Sequence, residues 1–148
     1  MHFTINNINT TTQKMNFRST CPVSNLLDII GDKWSILIVR DIFIGRKTYS
    51  DFLNAPEKIS SNILVDRLKK LTQAGIIEYT KNPEDKKIKI YNLTSKGIDL
   101  YPIMVEMSLW SKKHLNVAFH PLAIDMFENI DEIGVEKHIS NTINAFKK

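Results

Sequence analysis

Apolar residues recur at helical spacing in the first half of the chain and predict two helices separated by a glycine. Cys21-Pro22 marks the start of the first helix, because proline is tolerated in a first helical turn. Its apolar positions are Leu26, Leu27, Ile29 and Ile30, and Gly31 ends it. The segment 33–44 is apolar on two sides, which predicts a central, buried second helix that ends at Gly45.

Capping signatures mark the start of two further helices. Thr48, with Asp51 three residues later, forms a capping box for a short third helix. Ser60 is suited to the N-cap position of a fourth helix, because its hydroxyl can accept a backbone hydrogen bond. Ile59 and Leu64 flank Ser60 at the spacing of a hydrophobic staple, which strengthens this prediction.

The fourth helix has two chemically different faces. Its 3.6-residue period places a stripe of leucines on one side, namely Leu64, Leu68 and Leu71. The opposite side carries Asn62, Val65, Asp66, Lys69 and Gln73. Gly75 ends the helix. We therefore expect the leucines to rest on the buried second helix and the polar side to face a partner.

Two β-rich runs, 76–81 and 87–93, follow the fourth helix. The connection between them, 82–86, contains Asn, Pro and Asp and has the length of a hairpin loop. Lysines lie in both runs and in the connection. These features predict a basic β-hairpin.

Two helix signals follow the hairpin. Thr94, with Leu93 before it and Ile98 after it, repeats the N-cap and staple pattern and predicts one long helix toward Trp110. Further on, apolar residues follow one another at spacings of four, four and three, namely Val135, Ile139, Ile143 and Phe146. This spacing predicts an additional helix near the end of the chain.

The elements divide the chain into three segments. Residues 1–18 include an Asn/Thr-rich stretch without helical or strand period, which predicts a flexible N-terminal arm. Residues 19–110 contain the four helices and the hairpin, and predict one domain with a core of its own. Residues 111–148 are expected to form a C-terminal helical extension.

Basic residues are concentrated in the middle of the chain. The net charge is +4, but residues 33–96 hold 13 Lys/Arg against 7 Asp/Glu, a net charge of +6. Residues 97–148 hold 5 Lys/Arg against 7 Asp/Glu, a net charge of −2. We therefore expect a polyanion to bind the middle segment.

The composition argues against several other classes of protein. The longest apolar run is 36–39 and residues 1–20 lack the apolar core of a secretory signal, so we expect no membrane span and a cytoplasmic location. A single cysteine, Cys21, rules out an internal disulfide, and no metal site or cofactor is expected. The chain has no glycine-rich phosphate loop, nucleophile elbow or His-Glu zinc motif, and His114 and His120 are interpreted as surface residues. An enzyme is therefore not expected.

The order of the elements predicts a winged helix-turn-helix fold, which is mainly α with a small β-hairpin wing and additional N- and C-terminal helices for dimerisation. In this fold the fourth helix can enter a major groove about 12 Å wide, and the wing can reach the adjacent backbone. The predicted partner is double-stranded operator DNA. A winged helix that contacts only proteins is the alternative.

The sequence also resembles a known family, the HxlR-type regulators of bacteria, which are close to the MarR-like winged-helix proteins. The resemblance lies in Cys21-Pro22, Gly31-Asp32-Lys33-Trp34, 46–52, 59–60, 64–71 and 91–97, and continues at Pro102 and Trp110. It implies a dimeric DNA-binding repressor or activator whose terminal helices form the dimer interface. The segment 85–91 departs from the family pattern and is more similar to a MarR-type wing.

Side-chain chemistry gives candidate DNA contacts in this fold. The candidates for base recognition are Ser61, Asn62, Val65 and Lys69, because Asn can pair with adenine, Lys with guanine, and Val with a thymine methyl group. The candidates for backbone contacts are Arg46, Lys47, Thr48, Lys58, Arg67, Lys70, Lys86 and Lys87. A structural ion pair is an equal alternative for Arg67, which lies near the leucine stripe. Trp34 and Trp110 are expected to pack in the core or in a dimer interface.

Cys21 is a candidate redox sensor. It precedes a helix start, where the partial positive charge of the N-terminus favours the reactive thiolate. The resemblance implies that an oxidant or electrophile can react with a cysteine in this segment, near the dimer interface. The alternative is a buried Cys21 with a structural role, in a MarR-like regulator that responds to another small molecule.

Overall fold

The structure is a computed structural model, which describes residues 15–148; most of the predicted arm, residues 1–14, lies outside the described residues. The helices are α1 (Pro22–Ile30), α2 (Ser35–Phe43), α3 (Tyr49–Leu53), α4 (Ser61–Gln73), α5 (Ser95–Ile98), α6 (Tyr101–His114), α7 (Pro121–Ile133) and α8 (Val135–Phe146). The strands β1 (Ile77–Lys81) and β2 (Lys89–Leu93) lie between α4 and α5. The predicted winged helix-turn-helix fold is confirmed.

The predicted helix starts are present, and one further cap was not predicted. Thr48 and Asp51 form the capping box of α3, and the Ser60 hydroxyl accepts a hydrogen bond from the Ile63 amide at the start of α4. Asp32 caps α2, because its Oδ1 accepts hydrogen bonds from the amides of Trp34 and Ser35 at 2.8 and 2.9 Å. This cap gives the Gly31-Asp32-Lys33-Trp34 segment a structural role.

The core lies between α2, α4 and the hairpin. Val39 of α2 is fully buried, and so is Leu64 of α4. Leu68 and Leu71 continue the buried stripe, as predicted from the 3.6-residue period. α4 therefore has one side fixed in the core while its other side stays exposed.

The hairpin is antiparallel, with Ile77 opposite Leu93 and Lys81 opposite Lys89. The Tyr91 amide donates a hydrogen bond of 2.7 Å to the Lys47 carbonyl, and this contact holds the segment before α3 against β2. The base of the hairpin is buried and its tip is exposed. The wing is thus anchored at its base and extends into solvent.

The prediction of one long helix from Thr94 to Trp110 is wrong. α5 ends at Ile98, and α6 begins at Tyr101 with Pro102 in its first turn. Proline has no amide hydrogen and its ring disfavours helical conformation in the residue before it, so the helix breaks there. α5 and α6 can therefore take different directions.

α5 clamps the C-terminal end of α4. The Thr94 hydroxyl donates a hydrogen bond of 2.6 Å to the Gly75 carbonyl, and the Lys96 ammonium donates one of 2.8 Å to the Ala74 carbonyl. These carbonyls follow the last turn of α4, where helices leave acceptors unsatisfied. Gly97 lies against the Ile76 carbonyl, since a Cβ built on Gly97 would come within 2.1 Å of that oxygen. We call Thr94, Lys96 and Gly97 the α5 clamp.

The C-terminal extension is a helical hairpin that packs back on the domain. The ring of Phe43 in α2 lies 5.0 Å from the ring of Tyr101 in α6 and 4.8 Å from that of Phe146 in α8. The additional helix predicted from the apolar spacing is α8. α7 was not predicted; it begins at Pro121, where the His120 ring nitrogen accepts a hydrogen bond from the Leu122 amide.

A buried histidine joins three of the C-terminal helices. His138 of α8 has its Nδ1 2.7 Å from Asn129 Oδ1 in α7 and its Nε2 2.7 Å from the Tyr101 hydroxyl in α6. Because an amide oxygen only accepts, Nδ1–H donates to Asn129 and Nε2 accepts from Tyr101, so the neutral ring fits both partners. Burial lowers the pKa of His138 below its usual value.

We expect the free energy of unfolding to fall as the pH drops through about 6.5, the usual pKa of an unfolded histidine. The unfolded chain binds a proton there more readily than the folded chain, in which the pKa of His138 is lowered. Urea unfolding at pH 7.5 and 5.5 measures the difference in the free energy of unfolding between the two pH values. This difference should shrink in His138→Gln. It should persist in the control His114→Gln, because His114 is exposed. An equal pH dependence in both variants would refute this role of His138.

Candidate nucleic-acid interface

The side of α4 that faces away from the core carries side chains that are free to bind a partner. Ser61, Asn62, Val65 and Lys69 are all exposed, Val65 by 57%. None of their side chains hydrogen bonds within residues 15–148. From Ser61 to Lys69 the helix rises by about 12 Å, at about 1.5 Å per residue. The four predicted base-recognition residues therefore share one accessible surface.

The inward side of α4 is held by an ion pair as well as by leucines. Arg67 Nε lies 2.9 Å from Asp32 Oδ1, although its N–H points away from that line, and the two side chains are 22% and 26% exposed. Partial burial opposes ionisation of Asp32, but hydrogen bonds from Ser35 and Trp34, together with the neighbouring Arg67 guanidinium, outweigh it and lower its pKa to about 2. The geometry favours the structural alternative for Arg67, which links α4 to the capped start of α2.

Three other residues that are predicted to contact the DNA backbone also have partners inside the protein. Arg46 Nη1 lies 2.9 Å from the carboxylate of Asp41, which is buried and also pairs with Arg40. Thr48 caps α3, and Lys47 Nζ lies 3.4 Å from the Asn92 side-chain oxygen. These groups are positioned by the fold before any partner binds.

The remaining predicted lysines are exposed. Lys70 lies 3.1 Å from Asp66 on the same helix, which is an i,i+4 pair of the kind that contributes little to stability. Lys58, Lys86 and Lys87 form no ion pair in the part of the chain that the structure describes. Lys58 takes a left-handed conformation with φ of 58° in the turn before α4. Its ammonium is thus carried on a loop directly in front of that helix.

A cleft that the sequence did not predict lies between α3, α4 and the hairpin. We call it the wing cleft; its volume is about 770 Å³. Four predicted DNA contacts line it, namely Thr48, Val65, Lys69 and Lys87. Arg46, Lys47, Lys58, Lys70 and Lys86 lie outside its lining. The exposed apolar residues Tyr79 and Ile88 on the hairpin were the available sequence signal for it.

Cys21 is the N-cap residue of α1, and its side chain is exposed and makes no capping hydrogen bond. The buried, capping cysteine considered from the sequence is therefore not seen in this chain. Near Cys21, α1 exposes Val23 and Leu27. α6 exposes Met107 and also Trp110, which is 59% exposed and so does not pack in the core of the chain. We call Val23, Leu27, Met107 and Trp110 the terminal apolar surface.

Comparison with known families identifies this arrangement. The model of the HxlR-like helix-turn-helix family matches residues 29–119. The chain belongs to the HxlR-like family. As a member of this family it is a transcriptional regulator and not an enzyme. The matched region ends before α7, so the α7–α8 hairpin lies outside it.

The chain is similar to HTH-type transcriptional regulators of several bacteria. The chain is 33% identical to the regulator sll1512 of Synechocystis over 59% of its own length and 64% of the length of sll1512. It is 32% identical to YvaP of Bacillus subtilis over 71% of its own length and 98% of YvaP. It is 33% identical to YodB of Bacillus subtilis over 62% of its own length and 82% of YodB.

Solved structures of similar proteins support the fold. PA1607 superposes with a TM-score of 0.62 at 33% identity, over 70% of this chain and 71% of PA1607. The redox regulator HypR, in its oxidised form, gives a TM-score of 0.58 at 30% identity, over 66% of this chain and all of HypR. YodB gives 0.55 in its reduced form, at 30% identity over 66% of this chain and 97% of YodB, and it has also been solved after diamide treatment and with bound quinone.

The structure adds two observations on the other predicted properties. Among residues 15–148 no helix is both long and apolar enough to cross a membrane. In the same residues no three His, Cys, Asp or Glu side chains are grouped as metal ligands.

Proposed function

We propose that this HxlR-like regulator binds a two-half-site DNA operator as a homodimer, with α4 in the major groove and the wing on the adjacent backbone. The supporting observation is the division of α4 into a buried leucine stripe and an exposed side with unpartnered polar groups. A helix whose buried side is held against the core can present base-contacting side chains without a change in its own position. This lowers the entropic cost of binding.

The exposed side chains suit particular base edges. Asn62 can form two hydrogen bonds with adenine, Lys69 can donate to guanine, and Val65 can contact a thymine methyl group. Ser61 can donate to or accept from a base in the first turn of α4. Each well-formed contact of this kind contributes about 1–3 kcal/mol to discrimination between bases.

Basic side chains around α4 can fix its position through the phosphates. In this proposal Lys58, Lys70, Lys86 and Lys87 contact the backbone directly, together with Lys47 and Thr48. Arg46 is preoriented by Asp41 and can turn one edge of its guanidinium to a phosphate. Arg67 orients α4 through Asp32 rather than contacting DNA.

Retention of DNA tests this function directly. The purified protein should bind the DNA upstream of its own gene at moderate salt, and the affinity should fall linearly with salt on a logarithmic scale. Random DNA of equal length is the control, since sequence-specific binding is typically at least about 10³-fold tighter. Absence of binding at low salt would refute DNA recognition and leave the protein-interaction alternative.

The homodimer is a separate prediction. The terminal apolar surface exposes large side chains from both α1 and α6, and a two-fold dimer would cover the same residues on both copies. Light scattering at micromolar concentration should give twice the chain mass of 17.1 kDa. Trp110→Glu should shift the mass toward the monomer and Thr80→Glu, an equal charge change on the wing, should not. A monomer of the unaltered protein would contradict the prediction.

Exposed Cys21 supports a second proposed activity, response to an oxidant or electrophile. HypR is a redox regulator, and YodB has been solved with quinone and after diamide treatment. Two Cys21 thiols of a dimer could form one disulfide, giving up two protons and two electrons that reduce diamide to its hydrazine form. The Cys21 thiolate would instead add to a ring carbon of a quinone, and the adduct would take up one proton from water to become a hydroquinone thioether, with no leaving group.

Treatment with diamide or benzoquinone should change the affinity for the operator in the native protein and leave Cys21→Ser unchanged. The reason is that Cys21 lies at the start of α1 beside the terminal apolar surface, so a new covalent bond there would alter how two copies meet. Gel shifts before and after treatment measure the effect. An equal change in both proteins, or none in the native protein, would show that Cys21 does not carry the response.

A further inference from the structure

The wing cleft combines an apolar floor with apolar walls. Leu68 of α4 and Tyr91 of β2 are buried and form part of its lining. Val65, Tyr79 and Ile88 also line the cleft and remain substantially exposed. Its volume of about 770 Å³ falls within the range of about 300–1,000 Å³ that is usual for small-molecule sites. Exposed apolar side chains around a concave site favour an apolar occupant.

The charges around the cleft are all of one sign. Lys69, Lys87 and Lys89 line it, and no aspartate or glutamate does. The Lys89 ammonium lies 4.4 Å from the centroid of the Tyr79 ring, so charge and aromatic surface are adjacent. The rings of Tyr79 and Tyr91 lie 5.7 Å apart at 56°. The cleft therefore combines aromatic surface with positive charge, which suits a molecule with an aromatic body and an anionic group.

We propose that the wing cleft binds a planar aromatic carboxylate. The rings would lie against Val65, Tyr79 and Ile88, and the carboxylate would accept charge-assisted hydrogen bonds from the lysines, chiefly Lys89. A DNA backbone passing the same place would satisfy the lysines through its phosphates, but it has no flat apolar face to cover the aromatic walls.

Occupation of the cleft has a consequence for DNA binding. Val65 and Lys69 belong both to the cleft and to the exposed side of α4, so the bound anion and DNA would compete for the same space. The anion site itself does not depend on DNA recognition. Only the competition with DNA rests on the proposed function. Experiments can therefore contradict the anion site and the DNA-binding function separately.

Calorimetry with 2-naphthoate as the probe tests the site without DNA. We expect one site per chain, and binding about tenfold weaker for the neutral 2-naphthamide or for Lys89→Gln, the size of effect for one lost charge-assisted hydrogen bond. Lys81→Gln is the matched control, because Lys81 pairs with Lys89 in the hairpin register but does not line the cleft. No saturable binding, or equal losses in the two variants, would overturn the proposal.

Competition with operator DNA tests whether the anion binds in the wing cleft. Naphthoate should weaken the binding of operator DNA by the native protein and of Lys81→Gln, and higher concentrations should be needed for Lys89→Gln. If naphthoate and DNA bound together without mutual effect, the assignment of the anion to the wing cleft would be wrong. If naphthoate bound as expected but the protein failed to bind DNA at low salt, the anion site would stand and the proposed function would fall.

Discussion

Replacing Gly97 by alanine is expected to lower the free energy of unfolding by about 1–3 kcal/mol, because the added methyl group has no space. A Cβ at this position would lie 2.1 Å from the Ile76 carbonyl oxygen, far inside van der Waals contact. That carbonyl cannot move away freely, since it accepts a hydrogen bond from the Thr94 amide. The methyl group must therefore displace α5 from the end of α4 and loosen the α5 clamp.

Urea unfolding followed by circular dichroism measures this loss. Ser95→Ala is the matched control, because Ser95 lies in the same helix, two residues away, and is exposed. An exposed substitution of this kind changes stability by about 0.5 kcal/mol or less. If the two variants unfolded at the same urea concentration, the close approach of Gly97 to Ile76 would not matter for stability.

Substitutions on α4 and on the wing are expected to affect DNA binding in different ways. Asn62→Ala and Lys69→Ala should reduce the preference for the operator over random DNA by about 10- to 100-fold each, since each removes a contact of about 1–3 kcal/mol with a base edge. Lys86→Ala and Lys87→Ala should weaken binding to both DNAs by similar factors and flatten the salt dependence, since they remove phosphate contacts.

Affinities measured by fluorescence anisotropy on operator and random duplexes, across several salt concentrations, separate the two classes. Lys113→Ala controls for the loss of one positive charge, because Lys113 is exposed on α6 and away from the wing cleft. Equal losses on both DNAs in all four variants would contradict the assignment of α4 as the helix that contacts the bases.

Elements whose start, period and end are determined by residues close together in the sequence could be predicted. α4 has a capping hydroxyl at Ser60, a periodic leucine stripe and a terminal Gly75, and all three act within a few residues of one another. The same local signals mislead after Thr94, because the staple pattern continues across the break that Pro102 imposes between α5 and α6. α7 was not predicted, although its buried Phe127 and Ile130 recur at helical spacing, because exposed apolar residues such as Leu122 lie on its other sides and blur that stripe.

The candidate interface was predictable only in part, for a related reason. Helical period alone placed Asn62, Val65 and Lys69 on one side of α4. The partner of Arg67 is Asp32, 35 positions earlier, and such a pairing exists only once α2 and α4 have packed together. The wing cleft likewise forms where the hairpin approaches α3 and α4, and no local pattern specifies that approach.

The α5 clamp has a further consequence, for the geometry of the operator. It ties the end of α4 to a four-residue helix that is followed almost at once by α6, which carries Met107 and Trp110 of the terminal apolar surface. In the proposed dimer, the distance between the two copies of α4 would thus be set by a short, stiff connection. One inserted base pair would move the second half-site by about 3.4 Å and rotate it by about 35°. Two rigidly spaced helices cannot follow both displacements without bending the DNA. The affinity for the operator should therefore fall when the spacing between the half-sites changes by a single base pair.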